Sequence, residues 1–220
     1  MIRLNAFHLA LGNTYVSLLD GNHDMNIDST HRLACARWRP SEHCDRLRST
    51  DKEALDVFQW DAIVVHCVSL PEGEFGTGAP ARLFTGELDC NEHPSFKDLD
   101  GLRVAPHLLI DRTGDIEQFV AFDRGAWHAG QSSWRGRPSC NRFSLVIELE
   151  GTWNSGYTDA QYVALTEVCA ALCVHYPSLS PSAIVGHQEI APGRKQDPGP
   201  CFDWPRLLVP LHRRLVMGAV

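Results

Sequence analysis

Apolar residues dominate positions 61–68, where His66 is the one polar interruption after Ile63-Val64-Val65. A run greasy on both faces is expected of a central strand buried on both sides. Positions 143–150 alternate instead. Phe143, Leu145, Ile147 and Leu149 share one face, while Ser144, Val146, Glu148 and Glu150 share the other. The pattern predicts a strand with one face for the core and a carboxylate face for a cleft. Residues 106–111 and 115–120 bracket Arg112-Thr113-Gly114, a short turn with a glycine for positive φ, and predict a hairpin.

Thr158-Asp159-Ala160-Gln161 is a capping-box pattern that opens a helix. Tyr162, Leu165, Val168, Cys169, Leu172, Cys173 and Tyr176 follow at helical spacing, and Pro177 stops it. Ile184-Val185-Gly186-His187 predicts a short strand, and residues 203–216 a closing helix. Residues 71–94 carry Gly73, Gly76, Gly78, Pro80 and Gly86 and predict a long loop, a kind of segment that usually carries function. Residues 40–56 are polar and predict loop. Strands and helices in this order imply an α/β fold, a mixed central β-sheet with helices packed on it. At 220 residues the chain suits one well-filled core. The expected organisation is an N-terminal extension over 1–30, where Met25 is an alternative start, and a single domain over 31–220.

A formal charge of −7 and no run of basic residues argue against a nucleic-acid groove. The eight cysteines include no Cys-x-x-Cys pair, and Cys169 and Cys173 sit one turn apart on the predicted helix, as small core residues do. Reduced thiols in a reducing compartment are expected. Asn5, His8, Gly12 and Asn13 break the apolar stretch that a secretion signal needs, and no stretch is long enough to span a membrane. A cytoplasmic monomer with no membrane partner is expected.

His66, His187 and Asp197 supply two imidazoles and a carboxylate, enough to hold Zn²⁺ with a fourth position open. Pro198-Gly199-Pro200 stiffens the backbone behind Asp197. Imidazoles suit zinc better than magnesium. Cys201 is an alternative third ligand. Glu148, on the polar strand face, is the candidate base, and Glu150 a carboxylate at its rim or supporting the site from behind. Lys195 is a candidate donor to an oxyanion. Cys67 adjoins His66 but must point to the opposite strand face, which rules out a thiol–imidazole catalytic pair.

Several segments carry a resemblance. They are Val65-His66, Ser69-Leu70-Pro71-Glu72-Gly73-Glu74-Phe75-Gly76, Ala126-Trp127-His128-Ala129-Gly130, Ile147-Glu148-Leu149-Glu150-Gly151, Tyr157-Thr158-Asp159-Ala160-Gln161-Tyr162, Gly186-His187 with Ile190-Ala191-Pro192, and Asp197-Pro198-Gly199-Pro200. From Ile63 to Trp204 the chain resembles the zinc-dependent N-acetylmuramoyl-L-alanine amidases related to peptidoglycan-recognition proteins. The resemblance implies that family's fold. It implies His66, His187 and Asp197 as zinc ligands, Glu148 as general base and Lys195 as oxyanion stabiliser. The bond cut would join the lactyl group of (1,6-anhydro-)muramic acid to L-alanine of the stem peptide, with an anhydro-muropeptide as substrate in peptidoglycan recycling. Removing such fragments would also lower a signal that induces β-lactamase in some bacteria. Arg103, Trp127 and His128 resemble positions in the family's substrate cleft. Departures are Cys67 where the family has asparagine, Gln196 where a small hydroxyl residue is common, and Cys201 in place of alanine.

Two other readings compete. A non-catalytic module binding peptidoglycan fragments would keep the cleft and lose ligands or base, and every one of them is present here. A glycosidase using Glu148 and Glu150 would need no metal and leaves the histidines and Asp197 without a role.

Overall fold

The computed structural model describes residues 25–46 and 59–217. Expectations for residues 1–24, and for 47–56 of the polar stretch, lie outside the described residues. In chain order the elements are β1 (Arg37–Trp38), β2 (Cys44–Arg46), β3 (Ala62–Val68), α1 (Ala79–Thr85), β4 (Leu108–Ile110), β5 (Ile116–Gln118) and β6 (Arg124–Ala126). After these come β7 (Ser133–Trp134), β8 (Arg137–Pro138), β9 (Ser144–Glu150), α2 (Asp159–His175), β10 (Ile184–Gly186), α3 (His187–Ile190) and α4 (Trp204–Met217).

The two apolar runs pair as interior strands of the sheet. The main sheet has six strands in the order β1-β5-β4-β9-β3-β10. β3 lies parallel to both β9 and β10, and β4 parallel to β9, while β4 and β5 form the antiparallel hairpin read from the sequence. The register sets His66 opposite Glu148. In a parallel pair, opposed residues project to the same side of the sheet, so ligand and carboxylate share a face.

The two faces carry different layers. Ile63, Val65, Leu145, Ile147 and Leu149 pack with Leu165, Leu172, Leu207 and Leu211 of α2 and α4. Val146 and Leu109, on the other face, pack against Ala81, Leu83 and Phe84 of α1. Val64 joins Ala129, Cys140, Phe143 and Ile190 on that side. The carboxylates of β9 therefore share their side of the sheet with a second, smaller packed layer.

Thr158 Oγ1 accepts from the Gln161 backbone N–H and Gln161 Oε1 accepts from the Thr158 N–H, each at 3.1 Å, completing the capping box. Gln161 also donates to the Glu150 and Ile110 carbonyls at 2.9 and 3.2 Å, tying the helix start to the ends of β9 and β4. More of α2 is buried than the predicted stripe, including Gln161, Ala164, Thr166 and Ala170, because α4 packs on it as well as the sheet.

Three expectations change. Residues 71–94 are not all loop: α1 lies within them, buries most of its length and ends at Gly86 with φ 75°. Its glycines and prolines are caps and first-turn residues, positions where those residues favour a helix. The described end of the polar stretch forms β2, which pairs with β6. Met25 and Ile27 pack against the helix-side core with Leu33, so the packed chain starts before residue 31.

Candidate metal centre and active site

His66 projects from β3 on the face opposite α2. His187 does not end a strand as the sequence suggested. It is the first residue of the one-turn helix α3, directly after β10, and Gly186 makes that turn possible. A Cβ on Gly186 would meet Pro198 Cδ at 2.5 Å and Glu189 Oε2 at 2.6 Å, so only glycine lets the Asp197 loop close on α3. The Gln188 N–H donates to the Asp197 carbonyl at 3.0 Å, and the Pro198 carbonyl accepts from the Tyr157 hydroxyl at 2.8 Å. Gly199 has φ +88°, and a Cβ there would lie 1.7 Å from the Trp153 carbonyl oxygen. The loop that presents Asp197 is therefore held from both sides.

One ligand atom from each of His66, His187 and Asp197 lies within 4.8 Å of the others. Asp197 Oδ2 stands 3.3 Å from His66 Nδ1 and 3.1 Å from His187 Nδ1. Both histidines are buried. Burial lowers His66 to about 4, which keeps its ring neutral and its lone pair free at neutral pH. Burial works against the charge of Asp197, but its contacts with His187 and then His66 outweigh it and hold the carboxyl well below its usual range. Two buried imidazoles and one ionised carboxylate, converging at one point, fit a divalent cation, and the donor set suits zinc.

Glu148 stands beside them, with Oε1 3.8 Å from His66 Nδ1. Its Oε2 is buried with no hydrogen-bond partner. Burial, and then the charge of Asp197, push its carboxyl well above the ordinary value, with Lys195 pulling the other way. A proton acceptor raised towards neutrality is what base catalysis needs. Lys195 is exposed at the mouth, its charge felt by both Glu148 and His66.

Other candidates fall elsewhere. Glu150 is not a rim carboxylate: it is buried, accepts from the Gly76 N–H at 2.6 Å and from the Arg112 N–H at 3.4 Å, and so tethers the loop after β3. Cys67 packs on the helix side, and burial pushes its thiol up to about 12, so it is no nucleophile. Cys201 is exposed beside the Asn154 carbonyl and outside the ligand cluster, which removes it as a ligand. Trp127 is half-buried and stacked on His43, with ring centroids 6.2 Å apart and 13° between planes. Arg103 is exposed.

His128 departs most from expectation. Its ring lies behind His66 rather than in the open cleft, with Nδ1 3.0 Å from His66 Nε2 and Nε2 3.1 Å from Ser144 Oγ. The Asn141 side chain causes this by accepting from the His128 and Ala129 N–H groups at 3.2 and 2.8 Å, which turns the segment inward. Arg194 fastens the same segment to the Asp197 loop by donating to the Ala129 and Gln131 carbonyls at 2.5 and 2.8 Å. Neither contact has a sequence signal beyond Arg194 standing next to Lys195.

The sequence profile of the N-acetylmuramoyl-L-alanine amidases matches residues 57–200, which hold all three ligand candidates and Glu148. The chain belongs to this amidase family. Its relatives include the 1,6-anhydro-N-acetylmuramyl-L-alanine amidase AmpD of Citrobacter freundii, 50% identical over 174 residues, covering 79% of this chain and 89% of that one. Among solved structures, a selenomethionine AmpD derivative superposes with a TM-score of 0.78 at 48% identity, covering 84% of this chain and 99% of that one. The Escherichia coli amidase AmiD, in complex with anhydro-N-acetylmuramic acid-L-Ala-D-γ-Glu-L-Lys, superposes at 0.55 with 27% identity, over 74% of this chain and 61% of that one. The amidase fold expected from the motifs is the fold observed.

Proposed function

We propose that this amidase cleaves the amide between the lactyl carbonyl of (1,6-anhydro-)N-acetylmuramic acid and L-alanine of the stem peptide, acting on cell-wall fragments during recycling. The observation that carries the reading is the convergence of His66, His187 and Asp197 beside the raised carboxyl of Glu148. Likeness to AmpD over most of both chains supports the anhydro-muropeptide as substrate.

His66, His187 and Asp197 would hold zinc. When bound, zinc supplies a Lewis acid that acidifies water and polarises the scissile carbonyl. Glu148 takes the proton of the attacking water and returns it to the alanine nitrogen as the C–N bond breaks. Lys195 donates to the carbonyl oxygen as negative charge gathers there. Trp127 and Arg103 serve the substrate cleft, the indole offering a flat face to sugar and the guanidinium a fork for a peptide carboxylate. Action as a monomer in the reducing cytoplasm completes the reading, with Cys169 and Cys173 packed as small core residues. No helix among the described residues is long and apolar enough to cross a membrane.

The test is mass spectrometry of anhydro-muramoyl-tripeptide incubated with the protein as purified, after chelation and after zinc is restored. Free tripeptide should appear, vanish with chelator and return with zinc. Glu148→Gln should lower kcat by about 10²- to 10⁴-fold and leave zinc affinity intact. Stoichiometric zinc without cleavage would mean a recognition module, and chelator-insensitive cleavage of a sugar bond would overturn the metal assignment.

A further inference from the structure

The contacts behind His66 have a direction, and it can be read from one end. The Cys140 carbonyl oxygen can only accept. Ser144 Oγ lies 2.7 Å from it and donates its single proton there. Toward His128 Nε2, at 3.1 Å, that oxygen can then only accept, so Nε2 carries the N–H. A neutral imidazole has one N–H, which leaves His128 Nδ1 bare. At 3.0 Å it accepts from His66 Nε2–H. The remaining nitrogen of His66, Nδ1, is then a lone pair, and it is the atom that faces Asp197.

We propose that His128 and Ser144 form a one-way hydrogen-bond relay that locks ligand His66 in the tautomer whose Nδ1 is free to bind the metal, which makes both of them positioning residues. The inference rests on the reading of His66 as a zinc ligand. Ser144 and Cys140 are fully buried, so no water competes for these bonds. The reverse order would leave Ser144 Oγ and the Cys140 carbonyl 2.7 Å apart with no proton between them, in a dry interior. It would also put a proton on His66 Nδ1, aimed at Asp197, where the cation belongs. The other nitrogen of a metal-binding histidine commonly donates to a carboxylate, a carbonyl or water. Here a second histidine fills that place, and the chain ends on a main-chain carbonyl that cannot reverse.

The relay also explains two sequence features that the reaction leaves unused. Ser144 is the first residue of the carboxylate face of β9, two turns of the pleat before Glu148. One strand thus carries both the anchor of the relay and the candidate base. His128 sits in Ala126-Trp127-His128-Ala129-Gly130, whose last residues Arg194 and Asn141 hold in place.

Asparagine and leucine are nearly isosteric, and asparagine can offer an oxygen where His128 Nδ1 lies. The test is zinc affinity by chelator competition for the wild type, His128→Leu, His128→Asn and Ser144→Ala, together with the His66 tautomer in metal-free protein from long-range ¹⁵N–¹H NMR. His128→Leu should weaken zinc binding by about 10- to 100-fold, with His128→Asn recovering most of the loss and Ser144→Ala intermediate. Metal-free wild type above neutral pH should show His66 with its proton on Nε2. Equal zinc affinity in the leucine and asparagine variants, or a wild-type His66 protonated on Nδ1, would overturn the relay. Failure of amide cleavage would not: if zinc affinity and tautomer follow the pattern while the substrate stays intact, the relay stands and the amidase reading falls.

Discussion

His107 offers a quantitative prediction because its environment is closed on every side. The ring is fully buried, edge-on to Trp60 and stacked on Phe122. Nδ1 accepts from the Val146 N–H at 3.1 Å, and Nε2–H donates to the Arg124 carbonyl at 2.9 Å. A second ring proton would face the Val146 N–H, donor against donor, in the middle of the strand that carries Ser144 and Glu148. Burial lowers His107 from its ordinary 6.5 to about 4, with the bond to the Arg124 carbonyl opposing the shift only in part. Since the folded value is the lower one, the unfolded chain takes up the proton first as pH falls. Stability is therefore full above the unfolded value and is lost as pH falls from about 6.5 towards about 4. The linkage integral gives a loss of about 2 kcal/mol between about pH 8 and about pH 5, approaching about 3 kcal/mol at about pH 4. The assay is urea unfolding of chelated protein across that range, for the wild type and for His107→Asn. The asparagine keeps an acceptor near Val146 and cannot titrate. His66, on which His107 does not act, cancels in the difference, and for His128 burial and the His66 charge come ahead of that of His107. The wild type should lose about 2 kcal/mol more than the variant by about pH 5. Equal losses in the two proteins would refute the reasoning.

The remaining predictions concern the loops and the mouth of the site. Gly199→Ala should lower both Tm and zinc affinity, because its Cβ meets the Trp153 carbonyl and the αL strain adds about 1–3 kcal/mol; an unchanged Tm would refute the close approach. Glu150→Gln should cost about 1–3 kcal/mol by chemical denaturation and speed proteolysis within residues 71–78, since it weakens the tether to Gly76 and Arg112. Lys195→Ala should lower kcat by about 10²-fold with zinc affinity unchanged, read from steady-state kinetics beside chelator competition.

Much of the framework is legible in the sequence because it is written in local rules. The unbroken apolar run around Ile63-Val64-Val65 marks a strand covered on both faces, and that strand is an interior strand of the sheet, between β9 and β10. Strict alternation from Ser144 to Glu150 separates a helix-side core from a carboxylate face, although Phe143, expected on the core face, packs on the other side; Thr158 with Gln161 marks the start of α2 to the residue. The ligand residues could be named because family motifs surround each of them. The same local rules misread part of residues 71–94, where Gly78, Pro80 and Gly86, which suggest a loop, are the caps and first turn of α1.

What the chain by itself determined was which residues are candidates: His66, His187, Asp197, Glu148 and Lys195, with the strand faces that carry them. Tertiary structure alone decided how they act. The parallel register of β3 with β9 puts Glu148 next to His66, although the two are far apart in sequence. Burial raises Glu148 and lowers His66, and burial is a property of everything packed around a group rather than of its neighbours in the chain. Glu150, two residues from Glu148 and on the same face, became a tether because Gly76 and Arg112 turn their N–H groups toward it. His128 moved from cleft to relay because Asn141 turns its backbone inward. Side-chain identity is local, whereas proton position and charge state depend on partners that only folding brings within 3 or 4 Å, as between His128 and His66 or Glu148 and His66.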